Sequence, residues 1–401
     1  SLLVSCFARP VPEVLDNDVV CPDQELASDQ GDAGRWGGLS GILGGLIFIL
    51  VFVIVIVFVG PDPFGLGGTA VYIIGTDAVV KSDAWQAILT QKKWMDLYLP
   101  GDEEAEFRVS RVEGDRATGA ETEAGSIRAD AVVIAAGMWS RDIGRAAGVD
   151  LPLHAAEHFY IVTEPHDGLA RDLPVMRVPD ECAYYKEDAG KLMLGAFEPG
   201  AKPWGMAGIP EDFSFDTLPA DMEHFEPVLE NAVARVPLLE TAGISLFFNG
   251  PESFTPDNRY YLGEAPFKRG LYVACGFNSI GIQSSGGAGK VLAEWIKAGH
   301  APIDMADVDV RRAQAFQTNR RYLHDRTSES LGLLYAMHWP YRQVETARGV
   351  RRSPFHDKLV ALGACMGEAA GWERPNWFAP DGVTPTYEYS FGPQNWFPYA
   401  Q

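Results

Sequence analysis

Apolar positions run unbroken from Ile42 to Val59 (ILGGLIFILVFVIVIVFV), eighteen residues without a charged or polar side chain. As one α-helix the run reaches ~27 Å, close to the ~30 Å hydrocarbon core of a bilayer, so 42–59 is a candidate membrane span. Its β-branched content, and flanks with Arg35 alone before it and Asp62 after it, fit one or two buried strands of a parallel sheet equally well. It starts too far into the chain, with no basic region before it, to read as a signal peptide. Arg128-Ala-Asp-Ala-Val-Val-Ile-Ala-Ala-Gly137-Met-Trp-Ser-Arg141 predicts a buried strand ending in small residues. Alternation in His154–Thr163 (HAAEHFYIVT), in Ala183-Tyr184-Tyr185 and in Leu192–Glu198 (LMLGAFE) predicts antiparallel strands. Leu271–Ala274 predicts a short strand, followed by the loop Cys275–Gln283, the run Ser-Ser-Gly-Gly-Ala-Gly289, and an amphipathic helix to Ile296.

Strand, glycine-bearing loop and helix N-terminus together aim free backbone N–H groups at an electron-rich ligand, which makes 271–296 a candidate anion or dipole site. Ala135, Ala136 and Gly137 leave no side chain in the way of a cofactor at a strand end, although a tightly packed strand-to-helix turn would look the same. Gly65-Leu-Gly67-Gly68-Thr69-Ala70 approximates the dinucleotide fingerprint GxGxxG. Its context is wrong, because Pro61-Asp-Pro63-Phe64 separates it from the apolar run and Ala70–Ile74 reads as strand. A glycine-rich turn between two strands is expected there instead. Gly286-Gly-Ala-Gly-Lys290 is not a P-loop: no glycine lies five positions before Gly289, and Val291 replaces the Ser or Thr a metal needs. Asn249–Gly263 (NGPESFTPDNRYYLG) is turn-rich. Thr255 and Asp257 line a site or serve the turn, and Arg259 clamps a carboxylate or forms a structural ion pair.

At 401 residues two domains are expected, and 47% apolar with 11% aromatic content fits a globular chain. The net charge of −21 argues against a nucleic-acid partner. Five scattered cysteines without CxxC spacing imply a reducing, cytoplasmic-type compartment and no metal site. Nine arginines between Arg311 and Arg352 face only Asp325, Glu329 and Glu345 in that stretch; they contact an anionic ligand or form ion pairs with the acidic remainder. Residues 372–401 hold nine aromatics and five prolines, a tail that a partner covers or that leaves an exposed apolar patch.

ACGFNSIGIQSSGGAGK, VVIAAGMWSRDIG and HWPYRQVETARGVRRSPFHD resemble the sarcosine/dimethylglycine dehydrogenase family of FAD-dependent amine oxidoreductases, from about Phe107 to the C-terminus. The resemblance implies an α/β fold: a partial FAD-binding domain of the DAO/glutathione-reductase-like type, an antiparallel-sheet substrate domain and a C-terminal middle-domain extension. The implied boundaries are an atypical region 1–104, FAD-binding parts 105–153 and 250–300, a substrate domain 154–249 and an extension 301–401. A tetrahydrofolate-binding domain would follow and is expected to be missing, as is the usual N-terminal GxGxxG unit. By the same resemblance Ala135, Ala136, Gly137 and Trp139 lie against the cofactor. The flavin edge would rest on Gly276, Phe277, Asn278, Ser279, Ile280, Gly281, Ile282 and Gln283, where a helix N-terminus stabilises the charge of the reduced ring. His158 with Tyr184 or Tyr185 matches the family's catalytic positions; the alternative is a hydrogen-bonded sheet histidine and packing tyrosines. Because all eight histidines lie at or beyond His154, none can tether FAD from residues 1–153, so a non-covalent cofactor is expected. The implied reaction takes a hydride from the methyl carbon of an N-methylamine acid such as sarcosine or dimethylglycine. Oxygen or an electron-transfer flavoprotein would be the acceptor, and the setting cytoplasm or mitochondrial matrix. The competing reading is a truncated or rearranged non-catalytic relative, membrane-tethered through 42–59, acting as an interaction protein.

Overall fold

The computed structural model describes residues 55–61, 69–74, 107–122, 125–213, 216–339 and 342–399. Strands β1 (Val55–Pro61) and β2 (Thr69–Ile74) pair antiparallel from Ile56↔Ile74 to Pro61↔Thr69. The end of the apolar run is therefore strand, the state that Val, Ile and Phe favour, while residues 42–54 lie outside the described residues. This corrects the membrane-span expectation for 55–59, and no helix among the described residues is long and apolar enough to cross a membrane. The expected parallel sheet is corrected too, since β1 runs antiparallel to both of its neighbours. The chain leaves Gly67-Gly68 as strand, not as the helix a dinucleotide fingerprint needs.

Next come β3 (Phe107–Glu113), β4 (Arg116–Thr122) and β5 (Gly125–Arg128), an antiparallel three-stranded sheet. β6 (Ala131–Ala135) is buried from Ala131 to Ile134 and pairs with β1. A 3-10 turn at Gly137–Trp139 leads from it into α1 (Ser140–Ala146).

β7 (His154–Thr163) is the long central strand of a second, antiparallel sheet. Its companions are β8 (Met176–Val178), β9 (Ala183–Asp188), β10 (Lys191–Ala196), β11 (Pro203–Trp204) and β12 (Ile244–Phe254). Between them lies α2 (Met222–Arg235), whose N-cap Asp221 accepts from His224 N at 3.1 Å. One face of the sheet buries Phe159, Ile161, Tyr185 and Leu194 against Phe225, Val228 and Ala232 of α2. The opposite face carries Ala156, Tyr160, Tyr184 and Met193. Burying each such large apolar side chain contributes roughly 1.5–3 kcal/mol.

β13 (Tyr261–Glu264) and β14 (Leu271–Cys275) return to the first sheet, whose order is β13-β14-β6-β1-β2. β14 lies parallel to β6, Leu271↔Val132 through Val273↔Ile134, so both strands end on the same side. α3 (Gly281–Ala298) starts earlier than the glycine run suggests, with Gly286, Gly287 and Gly289 inside it. Each glycine costs about 1 kcal/mol relative to alanine in a helix. The buried stripe Ala288, Leu292 and Trp295 supplies the tertiary packing that overrides this propensity.

α4 (Arg320–Leu333), N-capped by Asn319, sets Leu331 against the open face of the second sheet, and Tyr335 follows onto the same face. α5 (His356–Ala361) precedes the hairpin of β15 (Ala364–Ala369) and β16 (Trp372–Phe378). The arginine-rich segment is mostly ion-paired: Arg311 with Asp309, Arg312 with Asp257, Arg321 with Asp325, Arg326 with Glu368 and Arg348 with Glu373. In the C-terminal segment Trp377 is buried, whereas Phe391 and Phe397 are 88% and 66% exposed.

Candidate active site

The parallel pair β6 and β14 brings two loops side by side. At the end of β6, Gly137 takes φ 51°, and Ala136 N donates to the buried Ser140 Oγ at 3.0 Å. Ser140 also hydrogen-bonds the Cys275 side chain at the end of β14, and burial pushes that thiol up to about 12. The two strand ends are thus tied by one serine. Trp139, half-buried, packs onto the core between the first sheet and α1.

After β14 the backbone enters the left-handed region three times, with φ 69° at Gly276, 51° at Asn278 and 65° at Ser279. Non-glycine residues rarely sit there, and each costs of order 1–3 kcal/mol unless its surroundings hold it. The buried Asn278 supplies that hold. Its Oδ1 accepts from Thr255 N at 2.8 Å, and its Nδ2 donates to Gly276 O at 2.7 Å and to Thr255 Oγ1 at 3.1 Å. Phe277 stacks on Tyr260 with centroids 4.6 Å apart. α3 then opens at Gly281 from the N-cap Ile280, with no side chain capping it. Ile282 and Gln283 are exposed on its first turn. Uncapped first-turn N–H groups seek an acceptor from elsewhere.

Thr255 links this loop to β12, and β12 also packs against the Gly137–Trp139 turn. Because opposed residues of an antiparallel pair share a face, the register Glu252↔Ala156 and Gly250↔His158 puts Glu252 and His158 on one face. Tyr160 follows His158 on that face, and Tyr184 joins through the pairs Tyr160↔Gly195 and Gly195↔Tyr184. Of the sequence candidates, His158 and Tyr184 therefore come together. Tyr185 does not: it points into the core under α2.

His158 lies 4.6 Å from Phe197 between ring centroids, and neither of its ring nitrogens has a partner among the described residues. Burial holds it down to about 4, so it is neutral near pH 7. Burial pushes the Tyr160 phenol up to about 12, with Glu252 adding to the shift. Glu252, which the turn-rich reading of 249–263 passed over, is 5% exposed and raised by burial to about 7. Ser279 hydrogen-bonds its carboxyl, and its Oε2 has no partner among the described residues. An isolated acidic residue between Pro251 and Ser253 gives no periodicity signal. Only the strand register reveals which way it faces.

Thr255 serves the loop, Asp257 accepts two bonds from Arg312 at 2.8 and 3.0 Å, and Arg259 pairs with Asp307 at the surface. Of the two alternatives for Arg259, the structure shows the ion pair. A cleft of about 240 Å3 instead gathers Arg141, Arg145 and Arg320 with His154, Met138 and Trp204. Arg141 lies 3.3 Å from His154 Nδ1; burial first, then the Arg141 charge, lowers His154 to about 4.

These residues fit the flavin end of FAD. Small residues line two adjacent strand ends, a helix N-terminus lacks a cap, and the facing sheet holds buried polar atoms without partners. For the pyrophosphate, β1 is followed by the antiparallel strand β2 and not by a helix, so this pair does not form the dinucleotide-type strand–glycine turn–helix unit.

A family model described as FAD dependent oxidoreductase matches residues 104–295, and one described as FAD dependent oxidoreductase central domain matches residues 298–353. The chain is 46% identical over 285 residues to 4-methylaminobutanoate oxidase (formaldehyde-forming) of Paenarthrobacter nicotinovorans, covering 71% of the chain and 34% of that protein. It is 39% identical over 277 residues to mitochondrial sarcosine dehydrogenase of Homo sapiens, covering 69% and 30%. It is 38% identical over 266 residues to the mitochondrial pyruvate dehydrogenase phosphatase regulatory subunit of Mus musculus, covering 66% and 30%. The chain spans about a third of the length of these curated relatives. With both models matching in order across residues 104–353, the chain belongs to the FAD dependent oxidoreductase family.

Proposed function

We propose that the chain binds FAD non-covalently along Gly276–Gln283 and oxidises an N-methylated amino acid of the sarcosine or dimethylglycine type. The observation that carries this reading is the meeting of two loops with the polar sheet face. The loops at the ends of parallel β6 and β14 meet β12 of the second sheet, and one face of that sheet holds His158 on β7, Tyr184 on β9 and Glu252 on β12. When bound, FAD supplies a two-electron acceptor for a hydride leaving the N-methyl carbon. The protein's part is to orient, neutralise and dry the amine. Ala135, Ala136 and Gly137 admit the cofactor, and the uncapped α3 N-terminus favours electron density at its edge. His158, neutral, offers a ring nitrogen to the substrate, with Tyr184 beside it across Phe197. The cleft at Arg141 and Arg320, where Arg145 is already paired with Asp142, suits a carboxylate.

The purified protein is expected to show the absorbance bands of oxidised flavin. They should be released by denaturation and bleached without oxygen by sarcosine, dimethylglycine or 4-methylaminobutanoate. A protein that stays colourless when FAD is added overturns the reading. The antiparallel β1, which supplies no pyrophosphate turn, favours a second reading, a non-catalytic relative acting by interaction, and that colourless outcome supports it.

A further inference from the structure

We infer that Glu252 is the group that receives the ammonium of the substrate and takes its proton, leaving the neutral amine from which a hydride can depart. The inference rests on the proposed amine oxidation and assigns a role at the same site. An N-methyl amino acid in water near pH 7 is an ammonium ion, whose nitrogen has no free electron pair to assist loss of a hydride from the adjacent carbon. Something in the site must remove that proton. The step is a simple transfer. One N–H bond breaks and its electron pair stays on nitrogen. The proton joins Glu252 Oε2, and the carboxylate becomes a neutral acid with no change of oxidation state.

Its place and its missing partner single out this residue, and the burial behind the second gives it a matching proton affinity. First, its place: β12 sets Glu252 opposite Ala156, on the face that carries His158 and Tyr160, while Ser279 of the loop between β14 and α3 hydrogen-bonds its carboxyl. Second, its missing partner: the side chain is 5% exposed, and Oε2 lies buried without a hydrogen bond among the described residues. A buried carboxylate normally has a cation or several donors. Among the described residues no cationic side chain contributes to the shift of Glu252, which burial and the Ser279 hydrogen bond set. Third, its proton affinity: burial raises it to about 7, so it is substantially ionised at neutral pH yet basic enough to hold a proton. The groups that share its surroundings cannot take the role at that pH. His158 is held down to about 4, Tyr160 is pushed up to about 12, and Tyr184 and Tyr335 are raised by burial.

The test uses the flavin-loaded chain and three variants, Glu252→Gln, Glu252→Asp and Ser279→Ala. In the unaltered protein kcat/KM for sarcosine should rise with pH through an ionisation near neutrality. Glu252→Gln should abolish that limb and lower kcat/KM by about 100-fold or more, the scale of a lost general base, while flavin content and melting temperature hold. Ser279→Ala removes the hydrogen bond that favours ionisation, so the limb should move to higher pH. Glu252→Asp should keep the limb at reduced rate. Binding gives a second readout by calorimetry, on protein with or without flavin. Glu252→Gln should weaken glycine betaine, a fixed cation with no proton to give, and leave the thioether analogue methylthioacetate unchanged. An active unaltered protein whose Glu252→Gln variant keeps the same pH profile, or loses both ligands equally, overturns the inference. An unaltered protein that never bleaches its flavin overturns the parent reading alone; the betaine comparison still decides whether Glu252 holds a cation.

Discussion

At Gly276 a Cβ would lie 2.6 Å from Thr255 Cγ2, and φ is 69°. Close approach and left-handed backbone both require glycine there. Its neighbours Asn278 and Ser279 keep left-handed geometry only because hydrogen bonds to Thr255 and Glu252 hold the loop. The same dry surroundings set opposite pH responses in two residues of the sheet face. His158 has a folded value of about 4, below its unfolded value of 6.5. The unfolded chain therefore binds the proton first, so stability is complete above pH 6.5 and is lost as pH falls towards 4, by roughly 3 kcal/mol. Glu252 is raised from 4.5 to about 7, so the folded chain holds the extra proton and stability declines as pH rises across that window. His158→Phe, placed between Phe197 and Phe254, should shrink the drop in melting temperature between pH 7 and pH 4.5. An undiminished drop would show that His158 is not the acid-sensitive group.

Among elements, α4 is joined to the C-terminal hairpin by the pair Arg326–Glu368 at 2.8 Å, with the two side chains 3% and 9% exposed. Arg326 also donates to Thr346 O at 3.0 Å. Arg326→Met should cost about 3–5 kcal/mol, because Glu368 would stay buried without its counter-charge. The double change Arg326→Met with Glu368→Leu should cost less. Urea unfolding of both variants checks this, and equal losses would mean that the ion pair is incidental. Much of the element pattern was legible beforehand. The alternation of His154–Thr163 and Leu192–Glu198 maps onto β7 and β10, and Ala70–Ile74 onto β2. The start of α3 was not legible. Glycines weaken local helix preference, and the buried stripe that compensates exists only once α3 lies on the first sheet.

Across the molecule, a net charge of −21 coexists with a cationic cleft and an arginine-rich segment that is largely ion-paired. The C-terminal aromatics divide likewise, with Trp377 inside and Phe391 and Phe397 outside. The double variant Phe391→Ser with Phe397→Ser should lower the fluorescence of an apolar dye bound to the folded chain; unchanged fluorescence would place the apolar surface elsewhere. The sequence alone determined the strands β2, β6, β7, β9, β10 and β14, the small-residue strand end and the glycine-bearing loop that begins at Gly276, though not its end, since Gly281–Gln283 are already helix. Those features are encoded in neighbouring residue types, in periodicity and in a family resemblance spread along the chain. Tertiary structure decided the rest, because direction and facing are long-range properties. Whether β1 runs parallel or antiparallel, whether Tyr184 or Tyr185 meets His158, and that Glu252 sits buried over Ser279 all depend on strands paired from distant parts of the chain.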